Sequence, residues 1–404
     1  MKKYVTLTII SVFLLATFSI YYIHSALAKS DKTQFFIEYV NGDKELLKDI
    51  SVSGTSHVGN MYESFTVTEK KTSYASDQSF FERISSGGQS SNKQFQELEN
   101  KYPSFMRGKY YEKDLFEDDS QVIYAEVNYS NSFNGKIKDF RFSIDTLNKK
   151  EEQTNSYTID VPDQQDIIQM EVYDIQYLYD EVRIVTANQK SNPYVTEIHQ
   201  YTINLNKERL TDDKVIFSQT ETPTDYYSTI AMSERNPIQP SSIVMFNTEE
   251  NPVNDDGQNT QSKWKTYIYH YKDAKLSELT LPAQLQDQTD ANISYMYDQE
   301  HLYVNHSIYE GHQLKGTMYK IDLKTGKIVE TLNLTTNENL HIEWISLYED
   351  SIQVVGRDSK GHPAFAVYTL EEGKLLFEGR MTAKESDNVN FKNLNIYIDS
   401  VSGI

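Results

Sequence analysis

Six short segments of this chain share one shape. Phe65-Thr-Val-Thr, Phe142-Ser-Ile-Asp, Tyr201-Thr-Ile-Asn, Tyr269-His-Tyr-Lys, Tyr319-Lys-Ile-Asp and Tyr368-Thr-Leu-Glu each run aromatic, polar, apolar, polar into a polar turn. The period of two is that of a half-buried strand. After the first copy the aromatic positions lie 59, 68, 50 and 49 residues apart, a repeat with loops of variable length. A second element precedes several copies: "IQYLYDEVRIVTAN" from Ile175, "ISYMYDQEHLYVNH" from Ile293 and "IEWISLYEDSIQVVG" from Ile342. Each reads strand, aromatic-acidic turn, strand.

Joined, the two elements give four antiparallel strands per unit of roughly 50–60 residues, the grammar of a β-propeller blade. A lone blade leaves a face uncovered, whereas blades packed around an axis cover both faces and protect their edges. The expectation is an all-β propeller of six four-stranded blades, with seven also allowed. Gln34–Val40 and Asn393–Val401 are expected to complete one blade from both ends of the chain. A β-sandwich, or two stacked β-domains, is the competing architecture. One segment departs from the pattern. Residues 77–107 place Phe95, Leu98 and Tyr102 at helical spacing after the Gly/Ser run "SSGGQSSN", which predicts a short helical insertion between the first two blades that caps one face of the ring, touches a partner or, as a filler, covers exposed apolar surface.

"IDLKTGKIVE" resembles the repeat of bacterial quinoprotein-like β-propellers, which carries an Asp, two residues, Thr-Gly-Lys and then a Trp that docks on the next blade. Asp322, Thr325, Gly326 and Lys327 match; Ile328 stands where the Trp would follow. The resemblance covers about ten residues and implies a fold. The quinone cofactor does not follow from it, and no cofactor is expected. That class also includes non-enzymatic assembly and scaffold proteins of cell envelopes.

The first 28 residues point to location. Lys2 and Lys3 precede an uncharged stretch from Tyr4 to Ala28. Its apolar core, Tyr4–Ile23, would span about 30 Å as a helix, one bilayer core. With the basic residues first, the body at 34–404 is expected outside the cytoplasm. Ala26-Leu27-Ala28 also fits a cleavage site, so the segment is read as a single-pass anchor or, if cut after Ala28, a signal peptide. The chain carries 39 basic and 59 acidic residues, a net charge of −20 that argues against nucleic acid or an anionic membrane surface as partner of the body. It has no cysteine, which excludes disulfides, thiolate chemistry and a lipid-modified cysteine anchor.

Motifs for chemistry are few. Thr325-Gly326-Lys327 is no phosphate loop, because Ile321 and Ile328 stand where that motif needs Gly and Ser or Thr. Asn254, Asp256 and Gly257 match inner places of a calcium loop, but Pro252 and Lys263 occupy the two that need acids. His301 and His306 differ by five and face opposite sides of a strand, so only His306 and His312, with Glu310, are spaced to share a metal; no metal site is assigned. Asp118-Asp119 and Asp212-Asp213 read as turn and solubility residues. No catalytic residue is assigned. The longer loops are expected on one side of the ring, where Tyr226 and Tyr227 are the candidate ligand-binding residues. The functional expectation is a membrane-anchored binding, scaffold or accessory protein of the cell envelope, its partner an envelope protein or polymer. The alternative is a secreted hydrolase or lyase acting on envelope polysaccharide or peptidoglycan, with carboxylates gathered from distant blades.

Overall fold

The computed structural model of the 404-residue chain describes residues 10–20, 32–58, 61–77, 92–131, 137–191, 194–220, 225–252, 263–285, 291–310, 313–334, 340–383, 391 and 395–403. Six sheets account for nearly all of the described body. Sheet I joins β2 (Ser51–Val58), β3 (Met61–Thr68) and β4 (Thr72–Tyr74) to the last strand, β26 (Asn395–Ser402). Sheet II is β5 (Leu115–Glu117), β6 (Gln121–Asn131), β7 (Ile137–Asn148) and β8 (Gln153–Asp160). Sheet III is β9 (Ile167–Leu178), β10 (Glu181–Lys190), β11 (Val195–Asn204) and β12 (Arg209–Thr220). Sheet IV is β13 (Asp225–Ala231), β15 (Ile243–Pro252), β16 (Lys263–His270) and β17 (Lys275–Leu279). Sheet V adds a two-residue parallel bridge, β14 (Ser233–Glu234), to β18 (Ala291–Tyr297), β19 (His301–Glu310), β20 (Gln313–Asp322) and β21 (Lys327–Asn333). Sheet VI is β22 (His341–Tyr348), β23 (Ser351–Arg357), β24 (Pro363–Thr369) and β25 (Leu375–Ala383), with the first strand, β1 (Phe35–Gly42), on its edge.

All six repeat aromatics stand on the third strand of their sheet: Phe65 on β3, Phe142 on β7, Tyr201 on β11, Tyr269 on β16, Tyr319 on β20 and Tyr368 on β24. Five are buried, and Tyr319 packs half-buried against the layer between sheets IV and V. The second element forms the first two strands of sheets III, V and VI. The hairpin of the quinoprotein-like segment closes as its residues dictate. Asp322 Oδ1 accepts from the Thr325 amide at 2.7 Å and from its hydroxyl at 2.6 Å, and Gly326 takes φ +66°.

Apolar layers join successive sheets. One lies between II and III, others between III and IV, IV and V, V and VI, and VI and I. Face-to-face packing of successive four-stranded meanders makes the fold propeller-like. The remaining face of sheet II is covered differently. The helix Lys93–Lys101, capped by Asn92 on the Phe95 amide at 2.8 Å, buries Phe95 and Leu98. With Phe105 and Met106 of the short helix Pro103–Met106, they pack on Leu115, Val122, Tyr124 and Leu147. The helical insertion thus fills an apolar gap.

The closure differs from the sequence expectation. β1 and β26 do not share a sheet: β1 pairs with β25 on the edge of sheet VI, and β26 pairs with β2 in sheet I. After β1, the one-turn helix Lys44–Lys48 carries the chain across the seam before β2 begins. Each terminal strand therefore completes a different sheet, and side chains of sheet VI hold β26 in place. The Gln353 amide donates to the Val401 carbonyl at 2.6 Å and accepts from the Val401 N–H at 3.2 Å. Trp344 Nε1 donates to the Ile398 carbonyl at 3.0 Å, and Arg357 donates to that of Ile396. Gly42 takes φ +91° where its Cα faces the Leu376 backbone, so a side chain there would be both strained and obstructed.

Gln353 is 5% exposed, so its loss leaves two backbone groups of β26 without partners. Gln353→Leu is expected to lower stability by about 1–3 kcal/mol, the cost of buried unpaired polar groups. Urea denaturation of the variant and of wild type checks it; equal midpoints and slopes would show that the seam does not depend on this side chain.

Candidate functional site

The first strands of sheets III, IV, V and VI converge on a cavity of about 800 Å³. β9 contributes Glu171, Tyr173 and Asp174; β13 contributes Thr229, Ile230 and Ala231; β18 contributes Met296 and Tyr297; β22 and the turn after it contribute Leu347, Tyr348 and Glu349. The segment Tyr110–Lys113, ahead of the three-residue β5, closes another side, and Asn92 reaches in from the helix cap. Between β13 and β15 the chain does not turn back at once. It runs through β14 and places Ser233, Glu234 and Arg235 on the wall.

The lining residues of β13, β18 and β22 are the last of their strands, so the cavity sits toward the end of the sheets that carries the short first turns. Tyr226 and Tyr227 fall at the start of β13, toward the opposite end, and their side chains lie outside the described residues. The sequence expectation favoured the long-loop side. Two irregular segments, 107–114 and 232–240, make room at the other end, and no repeat-based reading locates them.

The cavity wall mixes carboxylates with aromatic and apolar groups. Tyr110, Tyr111 and Ile230 are exposed, at 54%, 62% and 51%. Asp174 is buried beneath the wall; it accepts from the Tyr271 hydroxyl and from Gln176 Nε2 at 3.1 and 3.2 Å. Burial pushes its carboxyl up to about 6, against the lowering effect of those two donors. Glu234, half-buried, is pushed well above the usual glutamate range by burial and then by the Asp174 charge. Glu349 is raised by burial, although the Lys93 amide donates to it at 3.1 Å. The cations nearby are engaged. Lys113 pairs with Glu171 at 2.5 Å. Arg235 donates to Asp350 at 2.7 Å and to Glu371 at 2.5 Å, and lies 3.5 Å from Asp298. Glu371 also holds Lys320 and accepts from the Tyr303 hydroxyl at 2.9 Å. Although burial acts the other way, the Lys320, Arg235 and Tyr303 donors bring its carboxyl down to about 2.

The other candidates from the sequence fare unevenly. His301 lies 3.7 Å from Asp298 and His306 packs edge-on to Tyr319, its Nε2 buried and its proton affinity lowered by burial. The side chain of Glu310 and all of His312 lie outside the described residues, as do Asn254–Asn259. Among the described residues no three His, Cys, Asp or Glu side chains form a metal-binding group. Asp118 is a turn residue, accepting from Ser120 and Gln121 amides at 2.7 and 2.8 Å. Asp213 does more than solvate. Its carboxylate and that of Glu197 each hold one ring nitrogen of buried His199, both at 2.8 Å. Asp174 was missed, although an acid inside the apolar run "VYDIQYL" marks a polar group that the core must accommodate.

No protein-family model and no curated protein matches the sequence. Among solved structures the chain is similar to a mutant apocarotenoid oxygenase of Synechocystis, at 8% identity and a TM-score of 0.39, over 87% of this chain and 96% of that one. It is also similar to the polysaccharide lyase Uly1, at 8% identity and a TM-score of 0.35, over 67% of this chain and 56% of that one. A puromycin-hydrolyzing peptidase of Mycobacterium tuberculosis gives 9% identity and a TM-score of 0.33, over 85% and 55% of the two chains. Likenesses this distant carry no functional argument. The quinoprotein-like resemblance rests on its one hairpin.

The Glu371 cage makes a signed prediction. A carboxyl lowered in the folded state adds stability in full above its ordinary value of 4.5, and that stability is lost as pH falls through about 2. Wild type should gain on Glu371→Gln as pH climbs from 2 to 4.5 and hold a constant margin above that range. Urea melts across the range measure it; a margin that does not change with pH would refute the cage.

Proposed function

We propose that this chain is a membrane-anchored, extracytoplasmic β-propeller of six blades that acts as a binding or scaffold protein of the cell envelope, with the central cavity as its recognition site. The observation that carries the reading is the cavity itself. A concavity of about 800 Å³ walled by four sheets, with exposed Tyr110, Tyr111 and Ile230, is the form of a binding site. Aromatic side chains of this kind dominate binding energy at protein interfaces.

The anchor rests on the N-terminal helical residues 10–20. Ile10, Val12, Phe13, Leu14, Leu15, Phe18 and Ile20 are all at least 50% exposed there. The two hydroxyls of Thr17 and Ser19 return to the backbone carbonyls of Phe13 and Leu15 at 2.8 Å, as polar groups must in lipid. Among the described residues no helix is long and apolar enough to cross a membrane. The proposed span takes in the apolar residues Tyr4–Ile23 on either side of 10–20.

A second reading has one observation in its favour. Asp174 and Glu234 meet the same cavity, and both have raised proton affinity, as an acid catalyst of polysaccharide cleavage requires. Against it, Asp174 is buried and its oxygens are taken by Tyr271 and Gln176.

Protease added to spheroplasts is expected to digest the body, and a protected body would refute the location. Crosslinked capture from solubilised membranes tests the site. Tyr110→Ala with Tyr111→Ala should weaken capture at least about tenfold, or roughly 1.4 kcal/mol, if these side chains are anchors. Tyr226→Ala with Tyr227→Ala tests the long-loop side in parallel. Loss of capture in that pair alone would move the site there. Depolymerisation of peptidoglycan or envelope polysaccharide by wild type, abolished in Glu234→Gln, would establish the enzymatic reading.

A further inference from the structure

We infer that the cavity receives a basic, partly apolar peptide segment of another protein, its ammonium or guanidinium groups meeting Glu234 and Glu349 and its apolar parts covering Tyr110, Tyr111 and Ile230. The inference rests on the binding reading above and names its ligand. Charge complementarity selects the occupant. The cations of the wall are committed to protein carboxylates, Lys113 to Glu171 and Arg235 to Asp350 and Glu371. Glu234 and Glu349 line the cavity, and among the described residues no side-chain cation pairs with either; burial and neighbouring carboxylates raise the proton affinity of both. A cationic group arriving from outside removes that imbalance.

The apolar half of the wall decides between classes of cation. Metal ions and small amines leave three exposed apolar side chains uncovered. Lysine and arginine side chains carry long apolar stems beneath their charge, and both charged heads stack on tyrosine rings. A neutral polysaccharide would cover the tyrosines but leave the carboxylates without compensation. A cationic polysaccharide would supply charge and cover the tyrosines but brings no aliphatic side chain to Ile230.

The test uses the full chain in detergent micelles and a fluorescently labelled nonapeptide of alternating lysine and leucine. The comparison ligands are the same peptide with every lysine acetylated, and a labelled chitosan oligomer. The lysine peptide is expected to bind and the acetylated one to fail. Glu234→Gln should weaken binding about tenfold, in the range measured for interfacial charge pairs, and Tyr110→Ala with Tyr111→Ala at least as much. Val329→Ser, on the exposed edge strand β21, should leave it unchanged. Thermal melts of each variant separate lost binding from lost fold, and Glu349→Gln serves if Glu234→Gln melts early. Binding that ignores the cavity substitutions overturns the inference. So does chitosan binding without peptide binding, and so does no binding by any of the three ligands to a folded protein. If the lysine peptide fails while the Tyr110/Tyr111 variant still loses its membrane partner, the cavity reading stands and the cationic ligand falls. If that variant loses neither, both fall.

Discussion

A strand with apolar side chains on both faces needs a neighbour on each side of its sheet. In β10, Val182 and Ile184 enter the layer shared with sheet II, while Val185 and Ala187 enter the layer shared with sheet IV. β19 divides the same way, Leu302 and Val304 toward sheet IV and Tyr303 toward sheet VI. In β23, Ile352 and Val354 face sheet V and Val355 faces sheet I. Because successive side chains of a strand alternate, one run of residues serves two layers, and each sheet requires the next. Sheet II meets the requirement on one face with sheet III and on the other with Phe95, Leu98, Phe105 and Met106. The helical insertion is a substitute layer placed in the chain between sheets I and II.

The cavity follows from that arrangement. The first strands of sheets III, IV, V and VI line it, and after one of them, β13, the chain departs from the repeat. Carboxylates on this lining and behind it are treated in two ways. Glu371, Asp298 and Asp350 surround Arg235, a caged cation that ties sheets V and VI together. Among the described residues Glu234 and Glu349 have no such cation, and burial raises their proton affinity. The contrast between acids balanced within the fold and acids left for a ligand is the chemical basis of the proposed recognition.

The sheets were legible because their side chains repeat. The aromatic of the third strand and the paired first strands recur with a period that survives insertions, and the helical spacing of Phe95, Leu98 and Tyr102 stood out against it. Closure was not legible. β1 and β26 are both good strands, and nothing in their residues states which edge each will join; that depends on Gln353, Trp344 and Arg357, which read as ordinary members of β22 and β23. The cavity was not legible either, because it is assembled from strands far apart in sequence, β9, β13, β18 and β22, and from Tyr110, Tyr111 and Arg235, which lie off the repeat. Tyr226 and Tyr227 attracted notice as a pair of large amphipathic groups in a loop-like context; the strand that holds them points its other end at the cavity.

The register of Ser51 opposite Ser402 and Val52 opposite Val401 has a kinetic side. Sheet I cannot be completed until β26 is available to pair with β2, and Ser51 and Ser402 lie 351 residues apart. Contacts between residues so far apart in sequence make folding slow, because the closing step must form a very long loop. During that wait β2 presents an unpaired backbone edge. The same edge offers β26 of a second copy the hydrogen bonds it offers its own, the geometry that strand exchange between chains requires.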